Sequence, residues 1–171
     1  VSKRMGQHSE EEKIRLEHDA AKLFMRWYER NTGLRIRHIW HNEPMRPDTS
    51  CMLDGEKLDL EIAHLYGSEA EAMAILGRDL SDKTRQALQE LDKEPDHRLL
   101  KALNDILRNK AQKHYDSHRT WLVIRNAHPA WQRADIKALE HKITVPAQHP
   151  FEKIWLVADF EGKTGIVRLY P

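Results

Sequence analysis

Residues 46–63, RPDTSCMLDGEKLDLEIA, carry carboxylates where a sheet normally carries Val or Thr. Asp48 follows Pro47 at the entry to one apolar hairpin arm, and Asp59 and Glu61 sit in the middle of the next. With a period of two, Leu58, Leu60 and Ile62 share one face, and Asp59, Glu61 and Ala63 share the other. A hairpin turning at Asp54-Gly55 brings Asp48 beside Glu61 on the same face, and we expect that face to be the one nearest the first helix. Two carboxylates side by side repel, and burial raises their pKa values. A shared hard cation, Mg²⁺ or Mn²⁺, keeps both ionised. The alternative on this segment alone is a turn after proline and a solvated sheet face. Both readings stay open at this point.

Two charges on predicted helices bear on the choice. In the first helix, Leu16, Ala20, Phe24, Trp27 and Tyr28 mark an apolar arc at 100° per residue, and Glu17 falls inside it. Further along, the stripe Leu99, Leu103, Ile106, Leu107 runs on to Lys110, with Lys113 and His114 at its edges. Each alone is read more simply as a snorkelling or self-satisfied side chain. Together with the carboxylate pair they point to one polar pocket.

The elements that must position these groups follow from periodicity. The stretch 8–33 predicts a long helix with Ser9 as N-cap and Gly33 as its stop, and residues 1–8 are expected to be disordered. LRIRHIWH (34–41) alternates as a strand, and 49–65 reads as two strands about the Asp-Gly turn. Helices are expected over about 68–92 and 96–115, separated by Pro95. TWLVIRN (120–126) suits a strand buried on both faces. A helix over 128–143 and a closing hairpin, 151–160 with 166–170, complete the order α-β-β-β-α-α-β-α-β-β. The fold class expected is α/β (mixed α+β), a central mixed sheet flanked by helices in a single domain spanning 1–171.

The composition bounds the function. Lys and Arg number 28 against 27 Asp and Glu, so the chain is no general polycation, and a phosphate-binding surface must be a local patch. The one cysteine, Cys51, excludes internal disulfides and Cys-rich zinc motifs, and the expected location is cytoplasmic. No apolar run approaches the ~20 residues that span a bilayer, so no membrane partner is expected.

A helix, a three-strand meander with Pro-Asp and then an acid-X-lysine motif, a helix and further strands resemble the PD-(D/E)XK nucleases, the restriction-endonuclease-like fold. Pro47-Asp48 and Glu61-Ile62-Ala63 stand at the matching places, and the resemblance covers about residues 10–126 and extends to the last hairpin. It implies Asp48 and Glu61 as Mg²⁺ or Mn²⁺ ligands and Glu17 as an additional first-helix carboxylate. The departure is Ala63, where the pattern asks for lysine. Some relatives supply that lysine from a neighbouring helix, which makes Lys110 the first candidate, Lys113 the second and Lys57 the third. The implied activity is metal-dependent phosphodiester hydrolysis, with DNA as the expected partner. The alternative is a catalytically inactive module of the same fold that binds nucleic acid or a protein. A homodimer is left open.

Other residues carry weaker signals. Arg35 with Arg37, and Lys137 with His141 and Lys142, are read as solvated faces ahead of phosphate contacts. The eleven histidines include His114 and His118 at helical spacing, but no HExxH accompanies them. His64 is expected either to bond a site carboxylate or to pack with Leu60 and Ile62. Cys51 reads as a small core residue.

Overall fold

A computed structural model describes residues 2–43, 46–66 and 95–171. The elements are α1 (Ser2–Thr32), β1 (Ile36–His41), β2 (Thr49–Leu53), β3 (Glu56–Leu65), α2 (Pro95–Ala111), β4 (Thr120–Asn126), α3 (Arg133–Ala138), β5 (Lys153–Val157) and β6 (Ile166–Tyr170), with a 3₁₀ turn at Glu140–Lys142. The six strands form one sheet in the order β1-β2-β3-β4-β5-β6. The first three are an antiparallel meander, β3-β4-β5 run parallel, and β6 returns antiparallel. This is the expected mixed α+β class. The helix expected over 68–92 lies outside the described residues.

The Asp-Gly turn forms as its residue types require. Asp54 (φ 50°) and Gly55 (φ 86°) both adopt left-handed backbone, the signature of the two-residue turn that matches strand twist, and Leu53 pairs with Glu56 across it. From there the register runs to Thr49 opposite Leu60, where β2 ends. Gly33 (φ 75°) closes α1 as predicted. Ser9 does not cap it: the helix continues back to Ser2, through the residues expected to be disordered. That stretch contains no proline, so nothing in it forbids helix. Pro95 opens α2 as its first residue, where the missing N–H costs nothing. That helix stops at Ala111, short of the expected 115, and the predicted helix over 128–143 shrinks to α3 and the 3₁₀ turn.

Alternation along the strands splits the core in two. Leu58, Leu60 and Ile62 of β3 face α1, packing with Ala20, Ala21 and Phe24. Ala63 and Leu65 face the other way, toward Leu99, Leu103 and Leu107 of α2. Glu61 therefore belongs to the α2 side, not to the face nearest α1. Strand β4, buried along its whole length, lies between the two layers. An aromatic cluster clamps α1 to the sheet: Phe24, Tyr28, Trp121 and Trp155 lie with ring centroids between 5.2 Å (Tyr28–Trp121) and 6.1 Å (Phe24–Trp121), mostly in tilted or edge-on contact. No helix among the described residues is long and apolar enough to cross a membrane.

Phe24 is wholly buried at the centre of that cluster. Phe24→Ala should cost about 3–5 kcal/mol in urea denaturation, the usual range for emptying a buried aromatic site. A cost below about 1 kcal/mol would show that α1 does not pack on this sheet face.

Candidate active site

The strand β2 stops one residue short of Asp48, and side chains continue the pairing. The Asp48 amide donates to Glu61 Oε1 at 3.1 Å, and the Ile62 amide donates to Asp48 Oδ2 at 2.9 Å. Each carboxylate thus accepts from a backbone amide on the opposite strand. The two carboxyls are also close enough that each shifts the other's pKa. Asp48 and Glu61 are therefore within reach of a common ligand, as the hairpin geometry requires.

Lys110 converges on the same group. Its Nζ lies 3.0 Å from Glu61 Oε2, and its side chain is only 19% exposed. The stem lies on the α2 core while the ammonium reaches the carboxylate. Lys113 lines the same cleft but is exposed and lies beyond the end of α2. Lys57 is directed elsewhere, 3.7 Å from Asp59 Oδ1. Glu17 is 95% buried on α1, with Lys13 3.8 Å away, and it is close enough to raise the pKa of Asp48. All four expected residues, Asp48, Glu61, Lys110 and Glu17, stand around one cleft or in contact with its acids. The cleft measures about 650 Å³, and His41, Arg46 and His114 contribute to its rim.

The charge states follow from this packing. Burial, the contact with Glu61 and the nearby Glu17 push the Asp48 carboxyl up to about 8, against a downward pull from the Ile62 amide. Burial alone would raise Glu61 as well. The hydrogen bond from Asp48, the Lys110 charge and the Tyr115 hydroxyl outweigh it and hold Glu61 below its ordinary value. Glu17 is raised, chiefly by burial. The two shifts run in opposite directions, Asp48 upward and Glu61 downward, as expected of two buried acids side by side.

The donors are all carboxylate oxygens, buried and mutually repelling, which fits a hard divalent ion that keeps several waters. Among the described residues no group of three or more His, Cys, Asp or Glu side chains is arranged to hold a metal, so the pair itself would be the ligand set. Soft or tetrahedral sites of the zinc type have no such group here.

Two contributions escaped the sequence reading. Tyr115 donates its hydroxyl to Glu61 Oε2 at 2.5 Å, the same oxygen that Lys110 approaches. It stands in the turn after α2, and the run Asp116-Ser117 was the available signal that the helix ends early. Asn42 Nδ2 donates both to the Pro47 carbonyl (3.0 Å) and to Ser50 Oγ (2.6 Å), which fixes the backbone immediately before Asp48. Ser50 in turn donates to Asp59, as does Ser117, so Asp59 is a buried structural anchor rather than a site acid.

The remaining candidates lie elsewhere. Arg37 pairs with Glu29 at 3.2 Å, and Lys137 with Glu140 at 3.1 Å, as solvated faces. Residues 112–118 form a turn, so His114 and His118 do not share a helix face. Cys51 is buried, with its thiol pushed up to about 12, chiefly by burial, which makes it inert. His64 bonds neither site acid: its ring stacks on Tyr66 at 6.1 Å.

Two predictions follow from this geometry. Because the Asp48 pKa is raised on folding, the folded chain retains a proton that the unfolded chain releases between about pH 4 and 8, so Asp48 makes the protein less stable as pH rises across that window. Asp48→Asn removes this dependence, and its melting temperature relative to wild type, measured in EDTA, should climb from pH 4 to pH 8. A constant difference would show that Asp48 titrates normally. Tyr115→Phe removes a hydrogen bond to a charged acceptor and should cost about 1.5–3 kcal/mol. In a double-mutant cycle with Glu61→Gln the two should couple by about 1 kcal/mol. Additivity within about 0.5 kcal/mol would show the hydroxyl to be unbonded.

Comparison of the chain with protein families, with curated protein sequences and with solved structures yields no match.

Proposed function

We propose that the chain is a metal-dependent nuclease that hydrolyses phosphodiester bonds of DNA, with Asp48 and Glu61 as the ligands of Mg²⁺ or Mn²⁺. The observation that supports this most is the convergence of Lys110 from α2 on the same buried carboxylate pair that the hairpin brings together. The reading also draws on the restriction-endonuclease-like resemblance of the sequence at Pro47-Asp48 and Glu61-Ile62-Ala63.

A bound divalent ion would polarise the scissile phosphate and lower the pKa of a water beside it. The protein's own groups do the rest. To hold a divalent ion Asp48 would have to be ionised, so binding would strengthen as pH rises toward about 8. Lys110 takes the place that Ala63 leaves empty of charge: from Glu61 it can orient the attacking water or offset the charge that develops on the phosphoryl oxygens. Glu17 adds a further carboxyl beside the pocket, its pKa raised chiefly by burial. Tyr115 and the Asp48 amide fix the Glu61 carboxylate, and Asn42 fixes the loop that presents Asp48.

A second reading has its own support. Lys110 and Tyr115 already engage Glu61 Oε2, and an acid so satisfied is also what an inactive binding module would keep. Metal binding and turnover separate the two.

Mg²⁺ or Mn²⁺ should support nicking or cleavage of DNA, and Glu61→Ala should abolish it. Lys110→Met, close in volume and uncharged, should leave the protein folded and able to bind Mn²⁺ by calorimetry while lowering the cleavage rate about 100-fold or more. EDTA-resistant cleavage, or full activity in Glu61→Ala, would place the site elsewhere. Mn²⁺ binding absent by calorimetry, together with no cleavage of any DNA tried, would establish the inactive module instead.

A further inference from the structure

A second cavity of about 500 Å³ adjoins the cleft and shares Lys13 and Glu17 with it. Its walls come from α1, β3 and α2, and Leu16, Ala63 and Ile106 are among the residues that line it. Three successive β3 residues, Ile62, Ala63 and His64, line it. Successive residues alternate between faces, so the cavity wraps the strand edge rather than lying on one face.

That edge is open for a definite reason. Strand β2 pairs with β3 only as far as Leu60, Asp48 takes the Ile62 amide, and β3 beyond that point pairs only with β4 among the described strands. By alternation, the main-chain amide and carbonyl of His64 point to the same side as the Ile62 amide. Among the described residues they have no strand partner there. The His64 side chain adds a buried Nε2 with no hydrogen-bond partner. Burial lowers its pKa to about 4, so the ring is neutral at pH 7 and presents one donor and one acceptor. Tyr66 stacks on that ring and also lines the cavity.

We propose that this cavity binds one unstacked nucleobase of the strand whose phosphate is held at the Asp48–Glu61 pair. The proposal rests on the nuclease reading for the phosphate and on this cavity's own chemistry for the base. A base is a flat, mainly apolar body with hydrogen-bonding groups along one edge. The cavity offers apolar walls at Leu16, Ala63 and Ile106, with His64 and Tyr66 also lining it and their rings stacked on each other. Its volume falls in the range of small-ligand sites, about 300–1,000 Å³. Lys110 lines it too, so one lysine stands between the base and the carboxylate pair. A lysine at position 63 would project into this space. Its replacement by alanine leaves the room, while Lys110 supplies the charge from across the cavity. A protein strand added to the open edge is the competing occupant, and it would leave nucleotide binding independent of the base.

The test compares 5′-nucleoside monophosphates, which contain no phosphodiester bond to cleave, with ribose 5-phosphate and inorganic phosphate in the presence of Mg²⁺. By calorimetry the nucleotides should bind at least tenfold more tightly than ribose 5-phosphate, and the His64 ring resonances should shift only with nucleotides. Ile106→Trp, which fills the cavity, should remove the tenfold preference while phosphate binding persists. As a measurement independent of any protein variant, an oligonucleotide with an abasic residue scanned past the cleaved bond should lose at least tenfold in cleavage at one position. Equal binding of ribose 5-phosphate, unmoved His64 resonances, or uniform cleavage of every abasic oligonucleotide would overturn the base pocket and leave the nuclease reading standing. A base preference without cleavage of any substrate would do the reverse.

Discussion

The contact between Asp48 and Glu61 is the constraint around which the rest of the polar structure is arranged. Two carboxyls meet where β2 ends, each accepting the amide of the opposite strand, and their proximity and burial push Asp48 upward. A pair buried in this way costs stability unless the surroundings repay it. The repayment comes from four separate elements: the hairpin backbone, Lys110 on α2, Tyr115 in the turn after α2, and the Asn42 bridge that steadies the Pro47 carbonyl. None of these groups would be needed at these positions for an apolar sheet edge.

The two layers of the core serve this arrangement differently. The α1 layer is closed by aromatic rings and contributes a single carboxylate, Glu17, at its margin. The α2 stripe that packs on the sheet, Leu99, Leu103 and Leu107, runs on to Lys110, so the stripe that packs the helix also aims its last residue. Packing and charge placement are one feature here, because the same helical period sets both.

Much of this was legible in the residues. Asp48 beside Glu61 followed from the Asp-Gly turn and a period of two, and Glu17 and Lys110 from a period of 3.6. These are local rules, and the hairpin and both helices obey them. The choice of face was not legible, because alternation says which β3 residues travel together and not which helix covers them. Tyr115 was missed because apolar periodicity carried the helix four residues past Ala111, while turn chemistry at Asp116 and Ser117 ended it sooner. The link from Asn42 through Ser50 to Asp59 joins three elements by side-chain bonds that no period encodes.

The carboxylate of Asp48 on the Ile62 amide has a consequence for solubility. A strand edge with free amides is a template for any passing extended chain, and natural sheets blunt such edges with charge. Strand β3 has its bare edge just where its sequence, LEIAHL, is richest in residues that favour pairing. An acid that occupies the first exposed amide, beside a second acid and a lysine, makes that edge a poor partner for another copy of itself. The same side chain that meets Glu61 therefore also blunts this edge toward another extended chain, and its loss to alanine would leave the Ile62 amide without the acceptor it has here.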